Sequence, residues 1–590
     1  MSDMALAPGS VPLGQLHKDR SFNPVWLAAP GVIFLLVFMV LPMGQIFNLS
    51  VHEANGDFTM RFMEKATAPG LYARVLGMTF SVSLQVMLWS VLIAYPVALW
   101  LSRLQGRSKN LAIFCILLPF WTSPLIKNFS WMVLLGRTGF IAGIAEKLGI
   151  SPETLLYTNT TLIFAMTHTL LPLAIIVMLP VLQQIDHRVM QASATLGASS
   201  GQSFWTVLLP LSMRGISAAG LLIFVTSLGF FITPALLGGP KQTMIGQLII
   251  MQINQLQNWQ QGAALAVVLL ITALVAVFVF DRIFGISSVA GGAGAQRAAT
   301  HPIRRFSLFL CTGLGHLSRR LSGGVSDRAG RMIQNIFVVL VIFVLLVPVI
   351  AFVPMAFEDS VNLFFPPKTL SWHWFSALIE EPVWRSAILR SLGVGLATAA
   401  LTLVIGGLTA LALVRGRGKA TTPIFLLFLT PMIIPPIALA VSMFYLFAQI
   451  GLVATNLGII IGHCVIAMPI VFVVLLTTFK GYDWRLNDVS LTLGATRLQS
   501  WRRITLPLMK GGLIAGFITG FLQSFDELTV ALFVGGGLKT TLPRQMWDSI
   551  NLQATPIIAS ASVFVLLIVL LFFGAMELAQ LSRKSAAKES

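Results

Sequence analysis

Apolar runs of 20 or more residues recur along the whole 590-residue chain, and they decide the fold class before any motif is read. A run of that length matches one α-helical crossing of a bilayer. Barrel strands would alternate apolar and polar residues, and these runs do not. Only 10% of the residues are charged and 56% are hydrophobic, whereas a soluble globular protein is about 25% charged. The chain therefore reads as an all-α polytopic membrane protein. Twelve spans are expected, near 24–46, 73–101, 110–136, 160–183, 214–236 and 262–281, then near 333–355, 385–413, 422–448, 455–478, 511–533 and 558–578. The first run is too long for a signal peptide and no small-residue cleavage site follows it, so it reads as a retained helix.

The net charge of +18 would suggest nucleic acid in a soluble protein. Here the basic residues fall in short loops beside helices, where they set orientation. Arg103, Arg107 and Lys109 lie between spans two and three, and Arg415, Arg417 and Lys419 lie at the matching place further on. Arg188, Arg214, Lys480, Arg485, Arg497, Arg502, Arg503 and Lys510 flank two later loops on the same side. That side is expected to be the cytoplasm, with both termini inside. The opposite loops are acidic or mixed, with Glu53, Asp57 and Glu64 in one and Glu358, Asp359, Glu380 and Glu381 in another. The three cysteines (Cys115, Cys311, Cys464) form no CxxC, so neither a disulfide framework nor a metal site is expected.

The chain repeats itself. From Asp186 onward an offset of 297 matches Gly197 to Gly494, Pro210 to Pro507, Gly238 to Gly535 and Asn254 to Asn551. Earlier the offset is 312, matching Arg103 to Arg415, Pro119 to Pro431 and Pro124 to Pro436. The difference is a 15-residue insertion in the first half, around Phe140–Tyr157. Two tandem six-helix repeats have the same orientation, so the repeat axis is the membrane normal. The expected organisation is a first half at 1–284, a linker at 285–331 and a second half at 332–590. The linker is rich in Gly, Ala, Ser and Arg, and Arg304–Leu321 reads as an amphipathic helix on the membrane surface.

The most informative stretch is polar and occurs twice. Gln191-Ala192-Ser193-Ala194-Thr195-Leu196-Gly197-Ala198 runs to Pro210, within a loop at 186–211. Asp488-Val489-Ser490-Leu491-Thr492-Leu493-Gly494-Ala495 runs to Pro507, within a loop at 483–508. In each copy Gly and Pro are 13 residues apart, and an Asp (Asp186, Asp483) stands 11 residues before the Gly. The Gly suits a tight turn, and the Pro suits the end of the loop or the start of the next helix.

This pattern resembles the EAA motif of permease subunits in binding-protein-dependent ABC importers. Both copies depart from it: the leading Glu is Gln191 or Asp488, and Ala-Ala is Ala192-Ser193 or Val489-Ser490. The resemblance narrows further. Leu118-Pro119-Phe120-Trp121-Thr122-Ser123-Pro124 and Pro234-Ala235-Leu236-Leu237-Gly238-Gly239 are similar to the first permease of spermidine/putrescine-type systems. Phe364-Phe365-Pro366-Pro367 and Ser524-Phe525-Asp526-Glu527-Leu528 are similar to the second. The resemblance implies a type I ABC importer permease fold, with two partner permeases fused in one chain in a bacterial inner membrane. It implies that Gln191, Ala192, Gly197, Pro210, Asp488, Gly494 and Pro507 couple to two copies of a separate ATPase subunit. A periplasmic binding protein would deliver a small amine: a polyamine, an opine or an aminophosphonate. No Gly-x4-Gly-Lys-Ser/Thr phosphate loop is present. ATP and Mg²⁺ therefore belong to the partner, and no catalytic residue, cofactor or metal is expected on this chain. Leu321-Ser322-Gly323-Gly324-Val325 looks like the start of an ATPase signature but has no nucleotide-binding fold around it.

Ionisable residues inside spans are costly, which makes Lys127, Asp526 and Glu527 functional candidates. The acids could attract a cationic amine in a transport pathway, pair with Lys127 as structure, or serve a gate near the outer surface. Adjacent helical residues point about 100° apart, so both acids cannot serve one small site equally. His168 and His463 read as satisfied buried histidines, and Trp121 and Trp131 as packing residues. The outer insertion near Gly143–Glu153, with Ser151-Pro152-Glu153 as a helix start, is the candidate contact for a binding protein. Two rival readings remain open: a fused ferric-iron permease, and an ion-coupled secondary transporter, which also often has twelve spans.

Overall fold

A computed structural model describes residues 23–149, 151, 155–284, 312–313, 327–416, 418–537 and 539–589. Apart from Thr312 and Gly313, the expected surface helix at Arg304–Leu321 lies outside the described residues, as do the Leu321–Val325 stretch and the helix start at Pro152-Glu153. Among the described residues the structure is helical, and extended pairing is confined to isolated bridges. Nine helices are long and apolar enough to cross a bilayer, from Pro24–Ser50 to Arg497–Phe525. Two bent helix pairs and a shorter apolar helix, Ile557–Phe572, occupy the remaining positions where spans are expected.

The bent pairs correct the sequence expectation of continuous spans at 110–136 and 422–448. Gly106–Trp121 and Pro124–Lys147 meet at 89°, and Thr421–Ile433 and Pro436–Gln449 meet at 101°. Proline is the cause. Pro124 and Pro436 lack an N–H, and each holds the preceding residue extended, with ψ 133° at Ser123 and 130° at Pro435. Two further expected spans are also interrupted. Leu209–Leu228 gives way to a separate short helix, Ile232–Leu237, and Leu506–Phe525 gives way to Thr529–Val534. The second interruption holds no proline. The Glu527 carboxylate accepts from the backbone N–H of Val530 at 2.9 Å and of Ala531 at 3.3 Å, and so caps the new helix.

The halves interlock through their first spans. Pro24–Ser50 packs against the second half, where a Cβ on Gly31 would come within 2.5 Å of the Phe428 ring and 2.6 Å of Thr409 Oγ1. Only glycine permits so close an approach. In exchange, Asp327–Met355 packs against the first half. Trp100 Nε1 donates to Asn335 Oδ1 at 2.9 Å, Gln334 Nε2 donates to the Pro96 carbonyl at 3.2 Å, and His168 Nε2 meets the Val344 carbonyl at 3.2 Å. The helices Asn159–Gln183 and Asn456–Lys480 already obey the 297 offset. The insertion therefore lies between Leu135 and Asn159, and its described part is the helix Phe140–Lys147. That helix meets the second half, with the Phe140 and Phe365 rings 5.8 Å apart.

Candidate functional site

The two repeated loops fold alike. Asp186 Oδ1 accepts from the Arg188 N–H at 2.9 Å and starts the helix His187–Thr195. Asp483 Oδ1 does the same for Arg485 at 3.0 Å, beside the helix Arg485–Thr492. Each helix stops at a left-handed glycine, Gly197 at φ +84° and Gly494 at φ +86°. The chain then reverses, and the two arms are stapled by serines. Ser193 Oγ lies 2.6 Å from Ser203 Oγ, and Ser490 Oγ donates to Ser500 Oγ at 2.7 Å. Ser193 and Ser490 stand where the sequence pattern has its second Ala. The departure hid a paired hydrogen bond whose only sequence signal was the matched serine ten residues later in both copies.

Gln191, Ala192, Gly197, Asp488 and Gly494 are all exposed. Between helix and turn, Leu196 is 88% exposed and Leu493 is 82% exposed. These equivalent leucines are apolar knobs standing clear of the protein, which sequence reasoning passed over. Pro210 and Pro507 sit in the first turn of Leu209–Leu228 and Leu506–Phe525. A five-residue π-helical turn precedes each, Phe204–Leu208 and Trp501–Thr505. Proline can donate no hydrogen bond, and the wider turn absorbs that loss without a break. The return arm of each loop is thus continuous with its span, as Ser200–Leu228 and Arg497–Phe525.

The copies differ in how firmly they are anchored. Tyr482 Oη donates to Asn487 Oδ1 at 2.5 Å, Asn487 Nδ2 donates to Thr505 Oγ1 at 3.0 Å, and Trp484 Nε1 donates to the Phe479 carbonyl at 3.1 Å. The Arg415 guanidinium lies 4.8 Å from the Trp484 ring centre. The first-half counterparts of Tyr482, Asn487 and Thr505 are Ile185, Met190 and Leu208, which can form no such network.

The continuous helices end at the seam between the halves. A Cβ on Gly229, just past Leu228, would lie 3.0 Å from Pro436 and 3.3 Å from Pro435 of the other half's bent pair. By the repeat offsets, the equivalent crossing joins Asp526 to Ser123 and Pro124. There Asp526 lies beside Ser123, and Lys127 and Asp526 interact electrostatically. Lys127 is 1% exposed, and its ammonium donates to the Pro119 carbonyl at 2.9 Å. That carbonyl is one of those left unpaired where the helix Gly106–Trp121 ends. One crossing is therefore glycine on proline, and the other is Asp526 on Ser123 with Lys127 beside it. Glu527 turns away, with Oε2 3.3 Å from His463 Nε2, while His463 Nδ1 lies 2.8 Å from Ser524 Oγ. The structure brings Lys127 and Asp526 together and separates Glu527 from them. His463 is buried, with Nδ1 paired to Ser524 and Nε2 facing the Glu527 carboxylate without a hydrogen bond, and among the described residues no three His, Cys, Asp or Glu side chains cluster as a metal site. Trp131 packs against Phe164 at 4.9 Å and His168 at 5.4 Å.

A sequence profile for binding-protein-dependent transport system inner membrane components matches residues 20–288 and, separately, 402–582. The chain belongs to this family. The permease is similar to the spermidine/putrescine transport system permease protein PotB of Haemophilus influenzae, 33% identical over 214 residues, 36% of this chain and 75% of that protein. It is similar to PotB of Escherichia coli K12, 29% identical over 257 residues, 42% of this chain and 93% of that protein. It is also similar to PotC of Haemophilus influenzae, 28% identical over 237 residues, 40% of this chain and 91% of that protein. Among solved structures, a bacterial alginate ABC transporter in complex with an alginate pentasaccharide-bound periplasmic protein aligns with a TM-score of 0.38. It is 17% identical and covers 43% of this permease and 91% of that chain. The permease is about twice the length of its spermidine/putrescine relatives and matches the family profile in two separate stretches, as a fusion of two halves would.

Proposed function

We propose that this permease translocates a small amine-containing solute across the inner membrane, driven by two copies of a separate ATPase subunit and fed by a periplasmic binding protein. The coupling loops face the cytoplasm together with both termini, because the basic residues gather on their side. The observation that carries the reading is the continuity of loop and span. Each exposed loop ends in an unbroken helix, Ser200–Leu228 or Arg497–Phe525, and each helix ends at the seam. At 1.5 Å per residue those 29-residue rods are about 44 Å long. ATPase closure against Leu196 and Leu493 would pull both rods and shift the two crossings, opening the seam alternately to either side. ATP and Mg²⁺ stay on the partner, and this chain makes and breaks no covalent bond.

Asp526 is the group on which a passing amine would exchange Ser123 and Lys127 for its own ammonium. Glu527 and His463 hold the helix break in shape. In proteoliposomes containing the ATPase and the binding protein, Asp526→Asn should slow amine uptake about tenfold, the loss of roughly 1.4 kcal/mol of attraction. ATPase assembly should be intact. An unchanged uptake rate would remove Asp526 from the pathway. Transport by the permease alone, without ATPase and ATP, would replace the whole reading with that of an ion-coupled carrier. Stimulation by ferric iron rather than an amine would change the cargo but keep the machine.

A further inference from the structure

The short helix Thr529–Val534 follows Asp526 closely, and its six residues are too few to hold a helix by themselves. A helix also leaves its first N–H groups and its last carbonyls without partners. Glu527 meets the start of this one, accepting from the Val530 and Ala531 N–H groups. Arg544 meets the end. Its Nη1 donates to the Ala531 carbonyl at 2.8 Å, the Leu532 carbonyl at 3.1 Å and the Gly535 carbonyl at 2.5 Å. A cation also suits the negative end of a helix. Gly535 permits the approach, because a Cβ there would lie 3.3 Å from the same Nη1 and 2.5 Å from the Ala531 carbonyl oxygen. A carboxylate and a guanidinium thus grip the short helix at its two ends.

Arg544 is itself held in place. It belongs to the helix Leu542–Leu552, whose first N–H, on Leu542, donates to Ser391 Oγ of the span Pro382–Arg415 at 2.7 Å. One turn further on, Asp548 Oδ2 lies 3.6 Å from the Arg544 Nε. Trp547 of the same helix packs on Phe231 of the first half, with ring centres 5.8 Å apart. The repeat does not demand this grip. The first-half counterparts of Glu527 and Arg544 are Phe230 and Gln247. Phe230 offers no acceptor, and Gln247 Oε1 accepts from the Met244 N–H at 2.8 Å, at the start of its own helix. The grip stands on the side of the seam that carries Asp526, where the first half has Gly229.

Asp526 lies beside Ser123 and interacts with Lys127 across the seam. Its backbone runs directly into the Glu527 cap, so whatever steadies the short helix steadies the acid. We propose that Arg544 is a positioning residue for Asp526: by fixing the far end of Thr529–Val534, it keeps the helix break rigid and the acid beside Ser123 and Lys127. This deepens the amine-transport reading, and it rests on that reading only for its consequence in uptake. An acid that must release one cation and take another gains from a fixed backbone, because its carboxylate need not be reordered at each passage. Arg544 itself, committed to three carbonyls, acts on the passing solute only through Asp526.

Two measurements on the full-length permease test this. The first is hydrogen–deuterium exchange in nanodiscs, without ATPase or cargo. Arg544→Met keeps the aliphatic stem and removes the donors, and it should speed amide exchange over 526–535 about tenfold. Exchange over 232–238 should not change. Arg544→Lys, whose ammonium also carries several donors, should keep most of the protection. The second is amine uptake in proteoliposomes with the ATPase and the binding protein. Arg544→Met should slow uptake about fivefold in the wild-type background and at most about twofold in the Asp526→Asn background, as expected of a residue that acts through another. Unchanged exchange over 526–535, or a rise spread equally over 232–238, overturns the proposal. Where Asp526→Asn itself slows uptake, equal further losses in both backgrounds also overturn it. Full uptake by Asp526→Asn would sink the amine reading instead, and the exchange result alone would then decide the clamp.

Discussion

Gly197 and Gly494 allow the coupling-loop proposal to be tested through the backbone alone. Both stand at left-handed φ, +84° and +86°, and a Cβ built on either meets nothing within 4 Å. A substitution therefore causes no clash, and its cost is conformational. An L-residue held in that region costs about 1–2 kcal/mol. Asparagine tolerates it best and a β-branched residue worst. If the turn must keep its shape to transmit force, that cost lowers the competent population by roughly 5- to 30-fold. Substrate-stimulated ATP hydrolysis, measured with the ATPase and binding protein in nanodiscs, should fall in the order Asn, Ala, Val. The loss should be greater at Gly197 than at Gly494, because Tyr482, Asn487 and Thr505 anchor only the second loop. Aspartate, which also tolerates left-handed φ, probes charge at the ATPase contact instead: Gly197→Asp and Gly494→Asp should both impair coupling, unequally. Wild-type stimulation in both valine variants, or equal losses for Asn and Val, would refute the role of these turns as levers.

Two other perturbations follow from single residues. Leu196→Ala and Leu493→Ala should each weaken co-purification of the ATPase, by up to about 2 kcal/mol if the knob is fully buried in the partner. The double variant should lose the complex, and full retention by it would exclude the knobs as contacts. Glu358, just beyond the C-terminal end of the helix Asp327–Met355, is covered by its own loop. Burial pushes its carboxyl up, but hydrogen bonds from the Lys368 N–H at 2.7 Å, the Ser360 N–H at 3.2 Å and the Ser360 and Thr369 hydroxyls outweigh it, holding it below the usual range. A lowered folded value means that this support is complete above the unfolded value near 4.5 and fades as pH falls through the folded value. Glu358→Gln, which keeps only one acceptor oxygen, should speed Lys368 amide exchange about tenfold at neutral pH. Unchanged exchange would show that the carboxylate does not close the loop.

The sequence made the spans, the repeat and the two loops legible because each rests on local pattern. Apolar runs fix helices, and a constant offset fixes equivalence. It misjudged continuity at Pro124 and Pro436, because hydropathy is blind to direction and both arms of a bent pair are apolar. It missed the break after Phe525 for a different reason: Glu527 reads as a costly charge until its two backbone partners, Val530 and Ala531, are visible. The separation of Asp526 from Glu527 was foreseeable from the 100° step between neighbours. Their neighbours, Ser123 in the other half and His463 in the same half, were not, because they are 403 and 64 residues away. The serine staples were present as plain text at 193 and 203, and again at 490 and 500, but were read as a lapse from alanine.

The exchange of first spans sets a schedule for biogenesis. Pro24–Ser50 is made well before its partners, because its contacts at Thr409 and Phe428 lie nearly 400 residues later. At roughly 5–20 residues per second, it waits about 20 to 80 s in the bilayer for them. During that time the surface around Gly31 is open to any other helix. Two separate permeases would have to find each other by diffusion while holding such surfaces exposed. Joining the halves in one chain makes the encounter intramolecular and fixes their ratio at one to one. Tethering here serves assembly fidelity as much as transport.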